Sequence, residues 1–328
     1  MRWTVRPVAA ARASIRRGGH PLLGDAQIGF DDGLPPTLAP SRIVRDARHG
    51  APVPTRSLMP RIAIISDIHG NIVAFERVCA DIRARGVDMV VCLGDVVGYG
   101  PDPKDCLDLA RQVARVILLG NHEEGVLCPA AAATWNSKAR AGIELARTEL
   151  AGSDLSYLAT LPRTCAIGST VHATHDSPLS NGTTWDYIRS RADAAGAFTA
   201  ADHPITLVGH THVAACYATI VEHGFQAAAR EVNAYPVSRA LCGIAGEKRH
   251  LPVGSADFEI PRFARVILNP GSVGQPRDGD NRASYAILDL ATSHVEYRRV
   301  SYDLSKVRER FGVRGLPAAS AERLALGA

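Results

Sequence analysis

The amino-acid sequence predicts a layered α/β protein, and two patterns along its 328 residues carry that expectation. Up to Gly209, short apolar runs rich in β-branched residues alternate with stretches of helical periodicity. Beyond Gly209 the order changes, and strand-like runs follow one another with little helix between them. A β-α-β rhythm that gives way to consecutive strands points to mixed sheets layered against helices.

The run 61–66 (Arg-Ile-Ala-Ile-Ile-Ser) reads as a buried strand. Gly70-Asn71 then opens a helix to about Arg85, with Ile72, Phe75, Val78, Cys79 and Ile82 along one face. Runs 87–93 and 113–119 repeat the strand signal, its core at 116–119, with a helix over 104–114 between them. A helix from about 133 to 150 follows, then a shorter one near 154–161. Runs 170–174 and 205–208 are further strands, and 177–200 between them is expected to form a loop and a helix over the edge of a cleft. Strands at 217–220, 265–268, 284–290 and 294–300 fill the second half, and 304–311 and 318–326 are helical. No internal repeat is visible.

Five clusters of metal-ligand residues sit where those strands should end. They are Asp67-Ile68-His69, Gly94-Asp95, Gly120-Asn121-His122-Glu123, His175 and Gly209-His210-Thr211-His212. Each alone has a plain structural reading as a strand-end turn or a surface histidine. Together, in order and each behind an apolar run, they place Asp, Asn and His ligands on a rigid scaffold facing a cleft. Those are the ligands a pair of divalent ions needs for hydrolysis at phosphorus.

This motif set resembles that of the calcineurin-like metallophosphoesterases, in particular their small bacterial single-domain branch. Two further stretches carry the likeness: 94–103 (Gly-Asp-Val-Val-Gly-Tyr-Gly-Pro-Asp-Pro) and 269–278 (Asn-Pro-Gly-Ser-Val-Gly-Gln-Pro-Arg-Asp). It covers about residues 60–325. The resemblance implies a two-sheet β-sandwich flanked by helices. It also implies a hydrolase of phosphate esters, in which two divalent ions about 3.5–4 Å apart share a carboxylate and a bridging hydroxide. Carried onto this chain, the shared carboxylate is Asp95. Asp67, His69 and His212 complete the first ion's ligands, and Asn121, His175 and His210 the second's. Neutral imidazoles with hard oxygens suit Mn, Fe, Zn, Co or Ni better than Ca.

The family uses the histidine after the ligand asparagine without metal ligation. His122 would then protonate the leaving oxygen or stabilise charge there; the other reading is a residue that orients a ligand. Glu123 reads as a supporting residue or helix cap. His172 and His175 share one run; His175, at its end, is taken as the ligand and His172 as structural. Asn71, Tyr99 and Arg277 are candidate substrate contacts, each with an ordinary loop role as the alternative. The remaining histidines, such as His20, His49, His203, His223, His250 and His294, read as surface residues.

Composition bounds the partners. A hydrophobic content of 46% supports a full core. No apolar run reaches the ~18 residues of a membrane helix. Seven cysteines without a Cys-x-x-Cys pair read as reduced thiols of a cytoplasmic protein. Residues 1–58 hold nine Arg and four Asp, and the other 270 residues hold 28 basic and 29 acidic ones. The +4 charge therefore lies in the amino-terminal segment, and a nucleic-acid partner is not expected. For that segment three readings stay open: a disordered tail, an upstream extension with the natural start at Met59, or a transit peptide. Residues 59–328 form the expected phosphoesterase domain.

Protein Ser/Thr phosphatases carry Arg shortly after Gly-Asp and just before Gly-Asn-His-Glu; here those places hold Gly98-Tyr99 and Leu119. The expected substrate is a small or nucleotide-like phosphate ester, cleaved by a phosphodiesterase or phosphatase. The alternatives are a nuclease, or a non-catalytic metal-binding scaffold of the same fold. The sequence leaves the oligomeric state open.

Overall fold

The computed structural model describes residues 59–180, 182, 184–220, 256–260 and 264–328, with the backbone of three short strands elsewhere. Those three are β1 (Arg6–Pro7), β2 (Ala26–Ile28) and β10 (Val232–Pro236). The rest of the amino-terminal segment lies outside the described residues, as do His20, His49, His223 and His250.

Two sheets face one another. The six-stranded sheet runs β11 (Ala256–Glu259), β14 (His294–Val300), β13 (Ala283–Asp289), β3 (Arg61–Ile65), β4 (Met89–Cys92), β5 (Val116–Ile117). The eight-stranded sheet runs β1, β2, β6 (Thr164–Ile167), β7 (Val171–Thr174), β8 (Ile205–Leu207), β12 (Ala264–Pro270), β9 (Ala214–Ile220), β10. β3, β4 and β5 are mutually parallel, and so are β7, β8 and β12. Their carboxyl ends therefore gather at one edge of the sandwich, where ligands bind in such sheets.

The strands read as unbroken apolar runs because both of their faces are covered. On β3, Ile62 and Ile64 enter the core between the sheets, against Val171, Leu207 and Leu268. Ala63 and Ile65 face the other way, into a core shared with helices. That helical layer comprises α1 (Ile72–Ala84), α2 (Pro103–Val113), α3 (Asn121–Leu127), α4 (Ser137–Glu149), α5 (Gly152–Leu158), α7 (Leu304–Val313) and α8 (Ala318–Leu326). α6 (Arg191–Ala200) covers the outer face of the eight-stranded sheet, burying Ala194, Ala197 and Phe198 against Val208, Ala215, Tyr217 and Ile267. The sandwich flanked by helices is the expected fold. No described helix is long and apolar enough to cross a membrane.

Several element bounds differ from the sequence reading for local reasons. The helix expected from about 133 starts at Ser137, where the Asn136 side chain accepts from the Ala139 N–H at 3.0 Å and caps it. α5 starts two residues before Asp154, whose carboxylate accepts from the Ala151 N–H. The helix within 177–200 lies on the sheet rather than over the cleft, because its three buried residues face the strands. α3, β6, β10 and β11 were not expected; all are seven residues or shorter, too short for a periodic signal.

Gly142 lets α4 lie backbone to backbone on the loop at Gly98-Tyr99, since a Cβ there would stand 2.5 Å from the Tyr99 Cα. Gly142→Ala is expected to lower unfolding free energy by about 1–3 kcal/mol. The control Gly152→Ala, whose added Cβ meets nothing within 4 Å, should be neutral or stabilising. Urea unfolding of both checks this, and equal effects would contradict the packing described.

Candidate metal centre

Every predicted ligand lies just past the carboxyl end of a strand. Asp67 and His69 follow β3, Asp95 follows β4, and Asn121 opens α3 after β5. His175 follows β7, and His210 and His212 follow β8. The set is thus split between the two sheets, and packing of the sandwich brings it together.

The backbone there is strained. Seven described non-glycine residues have positive φ, and six belong to the site: Asp67, His69, Asp95, Tyr99, His210 and His212. The left-handed conformation costs about 1–2 kcal/mol per residue, so something must hold it. Loop-to-loop hydrogen bonds do: His69 N–H donates to the Asp95 carbonyl at 2.9 Å, Gly70 N–H to Val96 at 2.9 Å, and Gly209 N–H to His175 at 2.8 Å. Close approach also needs glycine. A Cβ on Gly120 would collide with the Asp95 carboxylate, and one on Gly209 with the Ser66 hydroxyl.

Glu123 fixes the loop that carries Asp95. Its buried carboxylate accepts from the N–H groups of Asp95 (2.8 Å), Val96 (2.8 Å), Val97 (3.1 Å) and Gly120 (2.9 Å). Burial and the nearby Asp95 charge raise its pKa to about 7, against the N–H groups of Val97, Gly120 and Asp95. Asn269 does the same for the histidine loop: its Nδ2 donates to the Gly209 carbonyl at 2.7 Å and to Thr211 Oγ1 at 2.9 Å. Ser272 Oγ donates to the Asp67 carbonyl at 2.7 Å.

Three histidines each spend Nδ1 on a carbonyl. His69 meets Val97 O at 3.1 Å, His175 meets Leu93 O at 2.9 Å, and His212 meets Gln275 O at 2.7 Å. A carbonyl can only accept, so Nδ1 carries a proton and it is Nε2 that points inward. Two groups of donor atoms result, each lying within 4.8 Å of one another. Asp67, His69, Asp95 and His212 form one; Asp95, His175 and His210 form the other, with Asp95 in both. His69 Nε2 lies 3.0 Å from His212 Nε2, and His212 Nε2 lies 3.3 Å from Asp67 Oδ1.

The donor set fits divalent cations. Asp67 Oδ1, Asn121 Oδ1 and His210 Nε2 are buried with no hydrogen-bond partner, an arrangement that is costly unless a cation takes their lone pairs. Electrostatics point the same way for three of the four histidines. Burial keeps His69, His210 and His212 well below the usual imidazole range, hence neutral, with neighbouring positive charge adding to it. Burial lifts Asp67 to about 6, with His175 opposing. Asp95 is held well below the carboxylate range: burial opposes this, and His175 and His122 outweigh it. His175, 3.3 Å from Asp95, rises to about 10 because that carboxylate overcomes burial. Burial lowers His122 to about 4 against the pull of Asp95.

The centre opens into a cavity of about 410 Å³. Asp95, Asn121, His122, His210 and His212 contribute to its lining. So do Tyr99, Trp135, Trp185, Tyr187 and Arg277. The Arg277 guanidinium lies 5.6 Å from the Tyr99 ring centre. Of the candidate substrate contacts, Tyr99 and Arg277 therefore face the cavity. Asn71 does not: its Oδ1 accepts from the Ala74 N–H at 3.1 Å as the cap of α1, and its Nδ2 donates to the Gly274 carbonyl at 2.9 Å. His172 sits inside β7, half-buried against His203 at 5.6 Å. His203 and His294 are half-buried. The sequence reading missed Asn269, Ser272, Trp135, Trp185 and Tyr187. Only the scarcity of tryptophan, three residues in all, could have drawn notice to two of them.

Comparison with known proteins agrees with this geometry. Residues 60–214 match the family model for calcineurin-like phosphoesterases. An uncharacterised protein of Methanocaldococcus jannaschii is 31% identical over 269 residues, which is 81% of this chain and 98% of that relative. A crystal structure described as a metallophosphoesterase from Sphaerobacter thermophilus is 35% identical with a TM-score of 0.65, covering 82% of this chain and all of that one. A hypothetical protein from Pyrococcus horikoshii shares the fold at 16% identity, with a TM-score of 0.59 over 82% of this chain and 98% of its own.

Glu123→Gln leaves one oxygen for four N–H donors. Its expected effect is a loss of about 1–3 kcal/mol in stability and about 10–100-fold weaker metal binding. Urea unfolding in chelator and metal titration measure the two separately. Unchanged values in both would show that the Asp95 loop holds its shape without Glu123.

Proposed function

We propose that this chain, which belongs to the calcineurin-like phosphoesterase family, is a metal-dependent hydrolase of small, nucleotide-like phosphate esters that works in the cytoplasm. The observation that carries this reading is Asp95, common to two groups of ligand atoms at the edge of one cavity. Asp67, His69 and His212 would hold one ion with Asp95, and Asn121, His175 and His210 the other. Bound there, Mn, Fe, Zn, Co or Ni would supply charge neutralisation at the phosphoryl oxygens and an activated water.

The chain's own groups do the rest. Arg277 lines the cavity, where its guanidinium can meet a phosphoryl oxygen. His122 presents its ring to the same space, where it can give a hydrogen bond or proton to the leaving oxygen. Asp95 Oδ1 also accepts from the His122 N–H at 2.8 Å, which ties the position of the donor to the shared carboxylate. A volume of about 410 Å³ suits a small ligand. Outside residues 1–58 the chain carries 28 basic and 29 acidic residues, which does not favour the nuclease reading.

The test is hydrolysis of bis-p-nitrophenyl phosphate and p-nitrophenyl phosphate by the full chain, stripped of metal and then supplied with Mn. Turnover is expected only with metal, and His122→Ala should reduce kcat by about 10²–10⁴-fold. No turnover of either ester by folded, metal-loaded protein would sink the proposal.

A further inference from the structure

Two of the sequence's three tryptophans line the cavity beside the metal centre. Both are only half-buried: Trp135 rests on the helical core and still lines the cavity, and Trp185 lines it beside the ligands. Trp135 stands beside His122, ring centres 4.9 Å apart. Trp185 stands beside the ligands of the other ion, 5.6 Å from His175 and 6.3 Å from His210.

Trp185 is fixed in a way that burial does not require. Its indole N–H donates to Glu124 Oε2 at 2.6 Å, and the Arg163 guanidinium covers it 4.2 Å from the ring centre. Arg163 is itself tied to the other Glu124 oxygen at 2.5 Å. An Arg–Glu pair thus sets the plane of the ring. Tyr187 offers less, because its ring is stacked on His210 at 4.0 Å and capped by Arg189 at 3.6 Å. Polar groups lie next to the two indoles. Asn136 and Thr184 share the lining, and Ala139 occupies only the Oδ1 of Asn136, so its NH₂ remains a donor.

Flat π-surfaces, hydrogen-bonding groups and an arginine around a phosphate-sized centre match one ligand chemistry. We propose that Trp135 and Trp185 form a base-binding wall, so that the esters turned over here carry a purine or pyrimidine beside the scissile phosphate. The inference rests on the phosphoesterase reading above and adds the two side chains that would recognise the base. Stacking on an indole is tolerant of base identity, so the wall selects for a base without choosing among bases.

The experiment is calorimetric titration of Mn-loaded full chain with AMP, ribose 5-phosphate and inorganic phosphate. AMP should bind about tenfold or more tightly than ribose 5-phosphate, and it should quench tryptophan fluorescence where ribose 5-phosphate does not. In Trp135→Ala and Trp185→Ala the ratio of the two affinities should collapse toward one, and Trp135→Phe should restore most of it. Equal affinities in the unaltered protein, or variants that weaken both sugars equally, would overturn the base-binding wall while leaving the phosphoesterase reading intact. If none of the three phosphates binds, the phosphoesterase reading falls and the wall falls with it.

Discussion

Everything at the centre depends on one buried carboxylate. Asp95 is 1% exposed, and an isolated charge at such a depth would be driven to its neutral form. Here it stays ionised because His175 and His122 surround it and the His122 N–H donates to it. Its place is set from behind by Glu123, whose oxygens take the N–H groups of Asp95 and the two residues after it. One acid supplies the charge that two ions would share, and the other supplies the geometry.

That arrangement explains why so large a scaffold serves so small a site. The candidate ligands come from two sheets, with Asp67, His69, Asp95 and Asn121 on one and His175, His210 and His212 on the other. Neither sheet alone offers a complete set. Burial of Ile62, Ile64, Leu93, Val171, Leu207 and Leu268 between them supplies the apolar driving force that joins the halves. It also offsets the left-handed backbone at five ligands. Metal binding and closure of the sandwich are therefore linked, and a bound cation stabilises the whole fold by mass action.

The strands and the residues at their tips were legible in the sequence because their signals are local. An apolar run ending in Gly-Asp or Gly-Asn-His announces both a buried strand and what stands at its tip. Asn71 shows the limit of pattern reading: it follows the Asp-x-His turn and reads as a cleft residue, yet Asn directly before a helix is first of all a cap. Glu124, Arg163 and Trp185 were illegible for another reason. They lie on three elements up to 61 residues apart, and only the folded chain shows that they hold one another. Asn269 likewise acts across 60 residues on the Gly209 carbonyl.

The most direct test of the central role of Asp95 is metal content per chain, measured by elemental analysis after Mn loading and gel filtration. Asp95→Asn keeps the shape and removes the charge, and Asp67→Asn serves as the comparison. Two ions are expected in the unaltered protein, none retained in Asp95→Asn, and one retained in Asp67→Asn. Two ions in Asp95→Asn, or losses that do not differ between the variants, would contradict a centre organised around a single shared carboxylate.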